Sequence, residues 1–187
     1  AVVAELFGAS SAIVRPQIAS GTHALALCLY GVLRPGDMMI SGAGKPYDTM
    51  EEVIGLSGEP GYGSLKDLGV DYRQVELKDG KVDVQGILDA LAPNAKLVLL
   101  QRSRGYDWRP SLSVGELNAA ISAIHAARPD VCVMVDNCYG EFTDSAEPAA
   151  DLMAGSLIKN PGGGLAPTGG YVAGRRKYVE MAACRLT

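Results

Sequence analysis

Apolar residues along this chain fall into short runs and longer blocks, and this spacing predicts strands and helices that alternate. Short apolar runs between turn residues are typical of buried strands, whereas longer blocks that follow Ser or Thr are typical of helices. The predicted strands are 38–40, 72–77, 97–100, 131–135 and 152–158, with a further apolar run at 171–173. The predicted helices are 23–33, 48–54, 84–91 and 113–128.

Strands that alternate with helices indicate an α/β fold built on a mostly parallel sheet. A chain of 187 residues is long enough for one core and too short for two large domains, so a single domain over 1–187 is predicted. Both ends lie in helix-like stretches, 1–9 and 178–187, without a clear stop signal. We therefore expect the chain to be part of a longer polypeptide.

Composition and charge exclude several classes of protein. The chain is 48% hydrophobic and 20% charged, as is ordinary for a soluble globular protein. A formal net charge of -4 without a block of like charges gives no electrostatic footprint for nucleic acid. No apolar stretch reaches about 18 residues and no signal peptide is recognised, so we expect no membrane contact and a cytoplasmic location. The four cysteines form no C-x-x-C pair, which favours buried free thiols over disulfides and predicts no metal site.

Polar residues stand at the carboxyl ends of three predicted strands, where open α/β sheets bind their ligands. The residues that end these strands are Asp136, Lys159 and the group Gln101, Arg102 and Ser103. The helix that begins at Ser20, Gly21 and Thr22 opens on the same side of the sheet if its crossover is right-handed. An acid, a lysine and a helix start suited to an anion then face one cleft.

Each of these signals has a simpler alternative when it is taken alone. The positive end of a helix suits a phosphate and Gly21 lets the backbone approach it, but an ordinary helix cap needs no ligand. Asp136 at a buried strand end requires a positive partner such as a pyridinium nitrogen, unless it caps a turn. Lys159 precedes a Gly-rich loop, where partial desolvation favours the neutral amine that attacks an aldehyde; a surface lysine fits this setting poorly.

Aromatic and imidazole side chains supply secondary candidates. Tyr47 lies in a loop that contains Gly and Pro, where its ring can stack on a flat ligand and its phenol can move protons, or where its hydroxyl simply faces water. We interpret His23 as a helix-face residue rather than a catalytic one, and we predict that His125 is a solvated helix residue. A helix start suited to phosphate, an Asp at one strand end and a Lys at a later strand end are together a more specific signal than any of them alone.

Five segments resemble a known family of enzymes that use pyridoxal 5'-phosphate (PLP). They are SGTHALAL, GKPYDT, QRSRGY, VDNCYGEF and GSLIKNPGGG. Over about residues 5–187 the chain is similar to methionine gamma-lyase-like or aluminium-resistance proteins, and more broadly to the cystathionine and methionine lyases of PLP fold type I. The resemblance implies a three-layer α/β fold, with a mostly parallel sheet and helices on both faces. This is the large PLP-binding domain of aspartate-aminotransferase-like enzymes.

The resemblance also implies a role for each matching residue. Lys159 matches the catalytic lysine that carries PLP as a Schiff base, and Asp136 matches the partner of the pyridine nitrogen. Tyr47 matches the tyrosine that stacks on the cofactor ring. The residues implied to hold the cofactor phosphate are Ser20, Gly21, Thr22 and Ser156.

The implied activity is the cleavage of a C–S bond in a sulfur amino acid such as methionine, cystathionine or cysteine, by alpha-proton abstraction and beta- or gamma-elimination. The implied assembly is a homodimer or homotetramer that binds a small amino-acid substrate. Segment 147–155 looks shorter than the family pattern, and we expect an N-terminal segment and a small C-terminal domain to lie outside this chain. That domain commonly carries the arginine for the substrate carboxylate, so Arg102, Arg104 and Arg109 stay unassigned candidates.

Three alternative interpretations of the sequence are open. Another PLP fold-type I activity, such as an aldolase, a transaminase or a decarboxylase, needs the same Lys and Asp. A non-catalytic phosphate- or nucleotide-binding α/β domain predicts G-x-x-x-x-G-K-[ST] or G-x-G-x-x-G after the first strand, and neither motif occurs there. An inactive remnant predicts loss of Lys159 or Asp136, and both residues are present.

Overall fold

The computed structural model describes residues 2–186, which form a single mixed sheet with helices on both of its faces. The helices are α1 (Val2–Leu6), α2 (Gly21–Val32), α3 (Asp48–Ile54), α4 (Val84–Ala90), α5 (Val114–Ala127) and α6 (Arg176–Ala183). The strands are β1 (Ser11–Arg15), β2 (Met38–Ser41), β3 (Asp71–Gln74), β4 (Ala95–Gln101), β5 (Cys132–Asp136), β6 (Leu152–Ser156) and β7 (Gly170–Gly174). The extent of the predicted domain stays a prediction, and its end residues Ala1 and Thr187 lie outside the described residues.

The sheet has the strand order β1-β7-β6-β5-β4-β2-β3. Strands β3, β2, β4, β5 and β6 are parallel, whereas β7 pairs antiparallel with β6 and with the edge strand β1. The predicted mostly parallel α/β sheet is thus confirmed. In the register, Asp136 of β5 pairs with Gln101 of β4 and with Ala154 of β6. The carboxyl ends of these three strands therefore reach the same edge of the sheet, where the residues that follow them meet.

Helices cover both faces because the central strands are apolar on both sides. Along β5, Met134 packs into a cluster with residues of α2, α3 and α6, whereas Val133 and Val135 pack into a second cluster with residues of α4 and α5. All three side chains are fully buried, and burying each one stabilises the fold by about 1.5–3 kcal/mol. The result is a sheet between two helical layers, as the resemblance implies.

The two edge strands depart from the sequence prediction. Strand β1 was not predicted, because four of its residues are only partly buried, Arg15 is exposed, and the strand pairs with β7 near the other end of the chain. The predicted strand 72–77 ends at Gln74, because its neighbour β2 ends at Ser41 and offers no further ladder. Edge strands contact a single neighbour, so their length depends on that neighbour more than on their own pattern.

Strand β6 is shorter than predicted, which moves the candidate lysine. The predicted run 152–158 keeps strand geometry only to Ser156, which makes the last pair with Gly170 of β7. Beyond it the backbone N–H of Lys159 donates to the carbonyl of Ser156 at 3.3 Å, which closes a turn. The prediction that Lys159 ends the strand is therefore wrong by three residues: Lys159 lies in the turn that follows.

Helix α5 begins with the capping box that the sequence predicts. The Ser113 hydroxyl accepts from the backbone N–H of Glu116 at 3.2 Å, and the Glu116 carboxylate accepts from the backbone N–H of Ser113 at 2.9 Å. These bonds satisfy two N–H groups that have no partner within the helix. Hydrogen bonds that the Ser113 backbone N–H and hydroxyl donate to the Glu116 carboxylate lower the pKa of Glu116. The contribution of its charge is therefore present at neutral pH and is lost as the pH falls through that lowered pKa.

We expect Ser113→Ala to lower the free energy of unfolding by about 1 kcal/mol, because one cap bond is lost and its donor faces an apolar methyl. Urea denaturation followed by circular dichroism measures this difference. Ser111→Ala is the matched control, since Ser111 is an exposed residue two positions before the cap. Equal destabilisation by both substitutions would mean that the capping box adds nothing specific.

Candidate active site

A cavity of about 170 Å³ lies at the carboxyl edge of the central strands. Its walls include every site residue predicted from the sequence, namely Ser20, Gly21, Thr22, Tyr47, Asp136, Ser156 and Lys159. Residues that the sequence did not single out complete the walls: Leu25, Gly105, Cys138, Tyr139 and Ile158, together with Ser103 from the group that ends β4. The structure thus brings residues from five separate stretches of the chain to one place.

The N-terminus of α2 forms one wall of this cavity. Ser20 caps the helix, with its hydroxyl accepting from the backbone N–H of His23 at 3.1 Å. A Cβ placed on Gly21 would lie 3.2 Å from both the Cβ of Ser156 and the Sγ of Cys138, so a glycine lets the helix start approach the end of β6. The helix start and Ser156 together offer N–H and hydroxyl groups suited to an anion.

Two threonine hydroxyls join α2 to the helix that follows. The Oγ1 atoms of Thr22 and Thr49 lie 2.5 Å apart, which fixes the position of the Thr22 hydroxyl at the cavity wall. Helix α3, which carries Thr49, begins directly after Tyr47. The loop with Tyr47 is therefore attached to the same wall as the helix start.

Asp136 forms the floor of the cavity and is 5% exposed. Burial raises the pKa of its carboxyl to about 6, against the opposing effects of a 3.1 Å hydrogen bond from the Cys138 backbone N–H and of the nearby Lys159 charge. A buried carboxylate is costly unless a positive partner compensates it. The cavity therefore has space for a cationic group next to Asp136, and such a group would stabilise the buried carboxylate.

Lys159 is partly exposed and extends over the turn that leaves β5. Its Nζ donates a hydrogen bond to the Tyr139 hydroxyl and lies 4.1 Å from the centre of the Tyr139 ring. Asn160 ties the same two segments together, since its side-chain amide donates to the carbonyls of Tyr139 and Glu141 at 3.2 and 2.9 Å. The cavity thus holds a primary amine and a buried carboxylate on adjoining walls.

Tyr47 is half-buried at the mouth of the cavity, where its ring stacks on Tyr106. The ring centres are 5.7 Å apart and the hydroxyl groups are 3.4 Å apart. This hydrogen bond, with partial burial, raises the pKa of Tyr47 to about 12, so the phenol keeps its proton at neutral pH. Tyr106 was missed by the sequence reasoning although it lies in the quoted segment QRSRGY; an exposed loop tyrosine gives no signal of its own.

The three arginine candidates have different environments. Arg102 is 3% exposed and binds four side chains of the β5–β6 connection. They are Asn137, Thr143, Asp144 and Glu147. Arg109 donates to the backbone carbonyls of Gln101, Ser103 and Pro110. Arg104 is exposed. Arg102 and Arg109 therefore hold loops that border the site.

A buried acid and a helical histidine depart from the sequence reasoning. Glu141 is 1% exposed, accepts from the Tyr171 hydroxyl at 2.8 Å, and has its pKa raised to about 7 by burial. Its place in a loop gave no sign of this burial. His125 was predicted to be solvated, and that prediction is wrong: its Nε2 lies 2.8 Å from the carboxylate of Asp151, which is 1% exposed. His23 is a helix-face residue, as predicted, and its Nδ1 accepts from the Ala19 N–H at 3.2 Å.

Other features of the chain lie apart from this site. A larger hollow of about 730 Å³ opens between α3 and the loop 55–67, but it contains none of the predicted residues and is broadly open to solvent. Among residues 2–186, no group of three or more His, Cys, Asp or Glu side chains is placed to hold a metal ion. Within the same range, no helix has the length and apolar character needed to cross a membrane. The four cysteines are free thiols, as predicted; Cys28 and Cys132 are buried, whereas Cys138 is partly buried and Cys184 is exposed.

The fold and the site define an α/β protein with a lysine, a buried aspartate and a helix N-terminus around one cavity. The chain matches the model of the methionine gamma-lyase family over residues 1–187, and it belongs to that family. The resemblance predicted from the five segments is therefore confirmed.

Individual proteins are similar to the whole of this chain. The uncharacterized protein YnbB of Bacillus subtilis (strain 168) is 50% identical over 190 residues, a match that covers 100% of this chain and 45% of YnbB. The crystal structure of a carbon-sulfur lyase involved in aluminum resistance from Clostridium novyi NT has a TM-score of 0.95 at 46% identity, covering 100% of this chain and 45% of that one. The pyridoxal-5'-phosphate dependent protein YhfS from Escherichia coli has a TM-score of 0.70 at 20% identity, covering 100% of this chain and 46% of that one, and shows the fold alone. The chain spans about half the length of the curated relatives it matches.

Proposed function

We propose that this protein binds PLP and cleaves a C–S bond of a sulfur amino acid. The observation that carries the proposal is the meeting of Lys159, Asp136 and the α2 start at one cavity. Membership of the methionine gamma-lyase family supports the same reading. We also propose that the chain is the large PLP-binding domain of a fold-type I enzyme, which acts in the cytoplasm as a homodimer or homotetramer.

The residues of the cavity fit the chemistry of PLP at three of its polar groups. The buried carboxylate of Asp136, with its raised pKa, suits a protonated pyridine nitrogen. The primary amine of Lys159 suits the aldehyde. The phosphate suits the hydroxyl and N–H groups of Ser20, Gly21, Thr22 and Ser156, where the close approach of Gly21 leaves the helix start uncovered.

PLP, when bound, supplies an electron sink for the negative charge that develops at the alpha carbon of the substrate. Asp136 keeps the ring nitrogen protonated, which strengthens that sink. The amine of Lys159 accepts the alpha proton. Tyr47 keeps its phenolic proton at neutral pH and lies at the mouth, where it can donate that proton to a leaving thiolate.

The alternative activities are distinguished by their reaction products. Aldolases, transaminases and decarboxylases use a lysine and an aspartate in the same roles, and the residues that distinguish them contact the substrate. A phosphate- or nucleotide-binding domain does not need an amine and a buried carboxylate at one cavity, so that arrangement favours an enzyme. The C–S cleavage step rests on the family and on the names of relatives.

We expect the purified protein with PLP to convert methionine, cystathionine or cysteine, with water, into a sulfur product, ammonia and a 2-keto acid in equal amounts. Keto acid, ammonia and thiol or sulfide are assayed together. Norleucine is the matched control for methionine, because a methylene replaces its sulfur and no leaving group is present. Failure to release keto acid from all three substrates would contradict the lyase proposal. Amino exchange with an added keto acid, or release of carbon dioxide, would indicate a transaminase or a decarboxylase instead.

A further inference from the structure

Tyr139 is the polar side chain that contacts the amine of Lys159. The amine donates to the phenol oxygen and lies 4.1 Å from the ring centre, so it touches both the hydroxyl and the face of one side chain. Within residues 2–186, no carboxylate lies within ion-pair distance of Lys159. The position of the amine is therefore set by Tyr139 and not by an ionic partner.

The backbone that presents Tyr139 is held in an uncommon conformation. Its φ of 66° lies in the left-handed region, which a bulky residue rarely adopts and which surrounding bonds must maintain. On one side the Cys138 N–H donates to the carboxylate of Asp136, and on the other Asn160 donates to the carbonyl of Tyr139. The turn is thus bonded both to the floor of the cavity and to the residue after Lys159.

Lysine has a flexible four-carbon stem, and its ammonium group takes many positions unless contacts restrict it. Cation–π attraction by the ring and a hydrogen bond to the phenol restrict it in two independent ways. Tyr47, the tyrosine singled out from the sequence, makes its own contact with Tyr106 instead. The two phenols of the cavity therefore serve different partners.

We propose that Tyr139 is the positioning residue of Lys159, holding the amine at the cavity through its ring and its hydroxyl. The proposal rests on the proposed function of Lys159 as the cofactor lysine. It adds a residue that acts through Lys159 and that none of the predicted roles included. When the Lys159 amine is held in one position, it meets the aldehyde of PLP and the alpha proton of the substrate in a productive orientation more often than a mobile amine does.

The test measures Lys159 directly, without cofactor. The full protein, stripped of PLP, is treated with formaldehyde and cyanoborohydride, and the methylation rate of each lysine is followed by peptide mass spectrometry. Because the reagent reaches the amine when the amine leaves the Tyr139 contact, Tyr139→Phe is expected to raise the rate at Lys159 about ten-fold through loss of the hydrogen bond. Tyr139→Leu is expected to raise it about three-fold further through loss of the ring.

Two controls isolate the contact. Lys177 lies over the Tyr178 ring at 5.5 Å from its centre, and its rate serves as the internal reference in every sample. Tyr106→Phe removes the hydrogen bond between the hydroxyls of Tyr47 and Tyr106, and it is expected to leave the methylation rate at Lys159 unchanged. In the PLP-loaded enzyme, Tyr139→Phe is expected to lower kcat about ten-fold with KM within about two-fold, because orientation is lost and substrate contacts are kept.

Equal methylation rates at Lys159 in the parent and in Tyr139→Phe overturn the proposal, whatever the activity of the enzyme. If Lys159 is methylated faster in Tyr139→Phe but PLP does not attach to Lys159, the result supports the contact between Tyr139 and Lys159. It contradicts only the proposed function of Lys159 as the cofactor lysine. Since Tyr139→Phe keeps the ring and the size of the side chain, its unchanged circular dichroism spectrum is the check on folding.

Discussion

Replacing Lys159 with Ala is expected to abolish covalent capture of PLP and to lower kcat/KM by about 10³-fold or more, because one side chain supplies both the attachment point and the base. Borohydride reduction of the loaded parent should fix PLP onto the peptide that contains Lys159, and mass spectrometry locates the attached mass. The variant should bind PLP only reversibly, through the α2 start and Asp136. Its protein should lose the cofactor on dialysis, whereas the reduced parent should not.

The matched control is Lys177→Ala, which removes a lysine that also lies over a tyrosine ring but does not line the cavity. It should keep both the covalent mass and the activity. Covalent PLP in the Lys159→Ala protein after reduction would assign the attachment to another amine and would falsify the role of Lys159. A loss of the folded circular dichroism signal in the variant is not expected, since Lys159 is partly exposed and makes its contacts at the surface of a turn.

The sequence predicted the central part of the fold well because burial there is uniform. The run VCVMV is apolar at every position because helices cover both faces of the sheet there, and each of its boundaries differs by only one residue from strand β5. The cap at Ser113 is a local signal and was found for that reason. Strand β1 has neither property: it is short, partly buried and stabilised by a partner near the other end of the chain. Such pairing depends on tertiary contacts that a local pattern does not contain.

The candidate site was predictable because topology places the carboxyl ends of parallel strands together. Asp136, Lys159 and the α2 start therefore meet, although the sequence separates them widely. The residues that were missed depend on backbone turns. Tyr139 lies at the cavity with a positive φ, and Glu141 is buried with its carboxylate accepting a hydrogen bond from the Tyr171 hydroxyl. Neither property can be read from a loop segment that is polar on average.

The buried acids near the floor of the site lower the stability of the fold at neutral pH. Burial raises the pKa of Asp136, at the end of β5, to about 6 and that of Glu141, in the loop that follows, to about 7. An acid whose pKa is higher in the folded state than in the unfolded chain stabilises the fold at low pH. That contribution is lost as the pH rises through the folded pKa. Without a cationic ligand, the ionised Asp136 is therefore a cost to the fold at neutral pH.

Asp136→Asn is accordingly expected to separate activity from stability. The amide keeps the shape of the side chain and an oxygen for the Cys138 N–H, but it cannot keep a pyridine nitrogen protonated. We expect kcat to fall by about 10²–10³-fold, the usual effect of removing one preorganised electrostatic group, while PLP stays bound through Lys159 and α2. Steady-state kinetics and the cofactor absorbance of the same sample measure the two quantities.

The stability of the cofactor-free protein should change in the opposite direction. At pH 8 the variant should have the larger free energy of unfolding, because the parent carries a buried charge. The difference should shrink as the pH falls from about 6 and vanish below about pH 3, where the carboxyl is protonated in both the folded and the unfolded state. Asp130→Asn is the matched control near the start of β5: there the salt bridge to Arg128 lowers the pKa to about 2, so the substitution should weaken the fold at pH 8 and leave kcat unchanged. An unchanged kcat in Asp136→Asn would contradict the role of Asp136 in strengthening the electron sink. If the variant were less stable than the parent at pH 8, other groups of the protein would have to compensate the charge of Asp136.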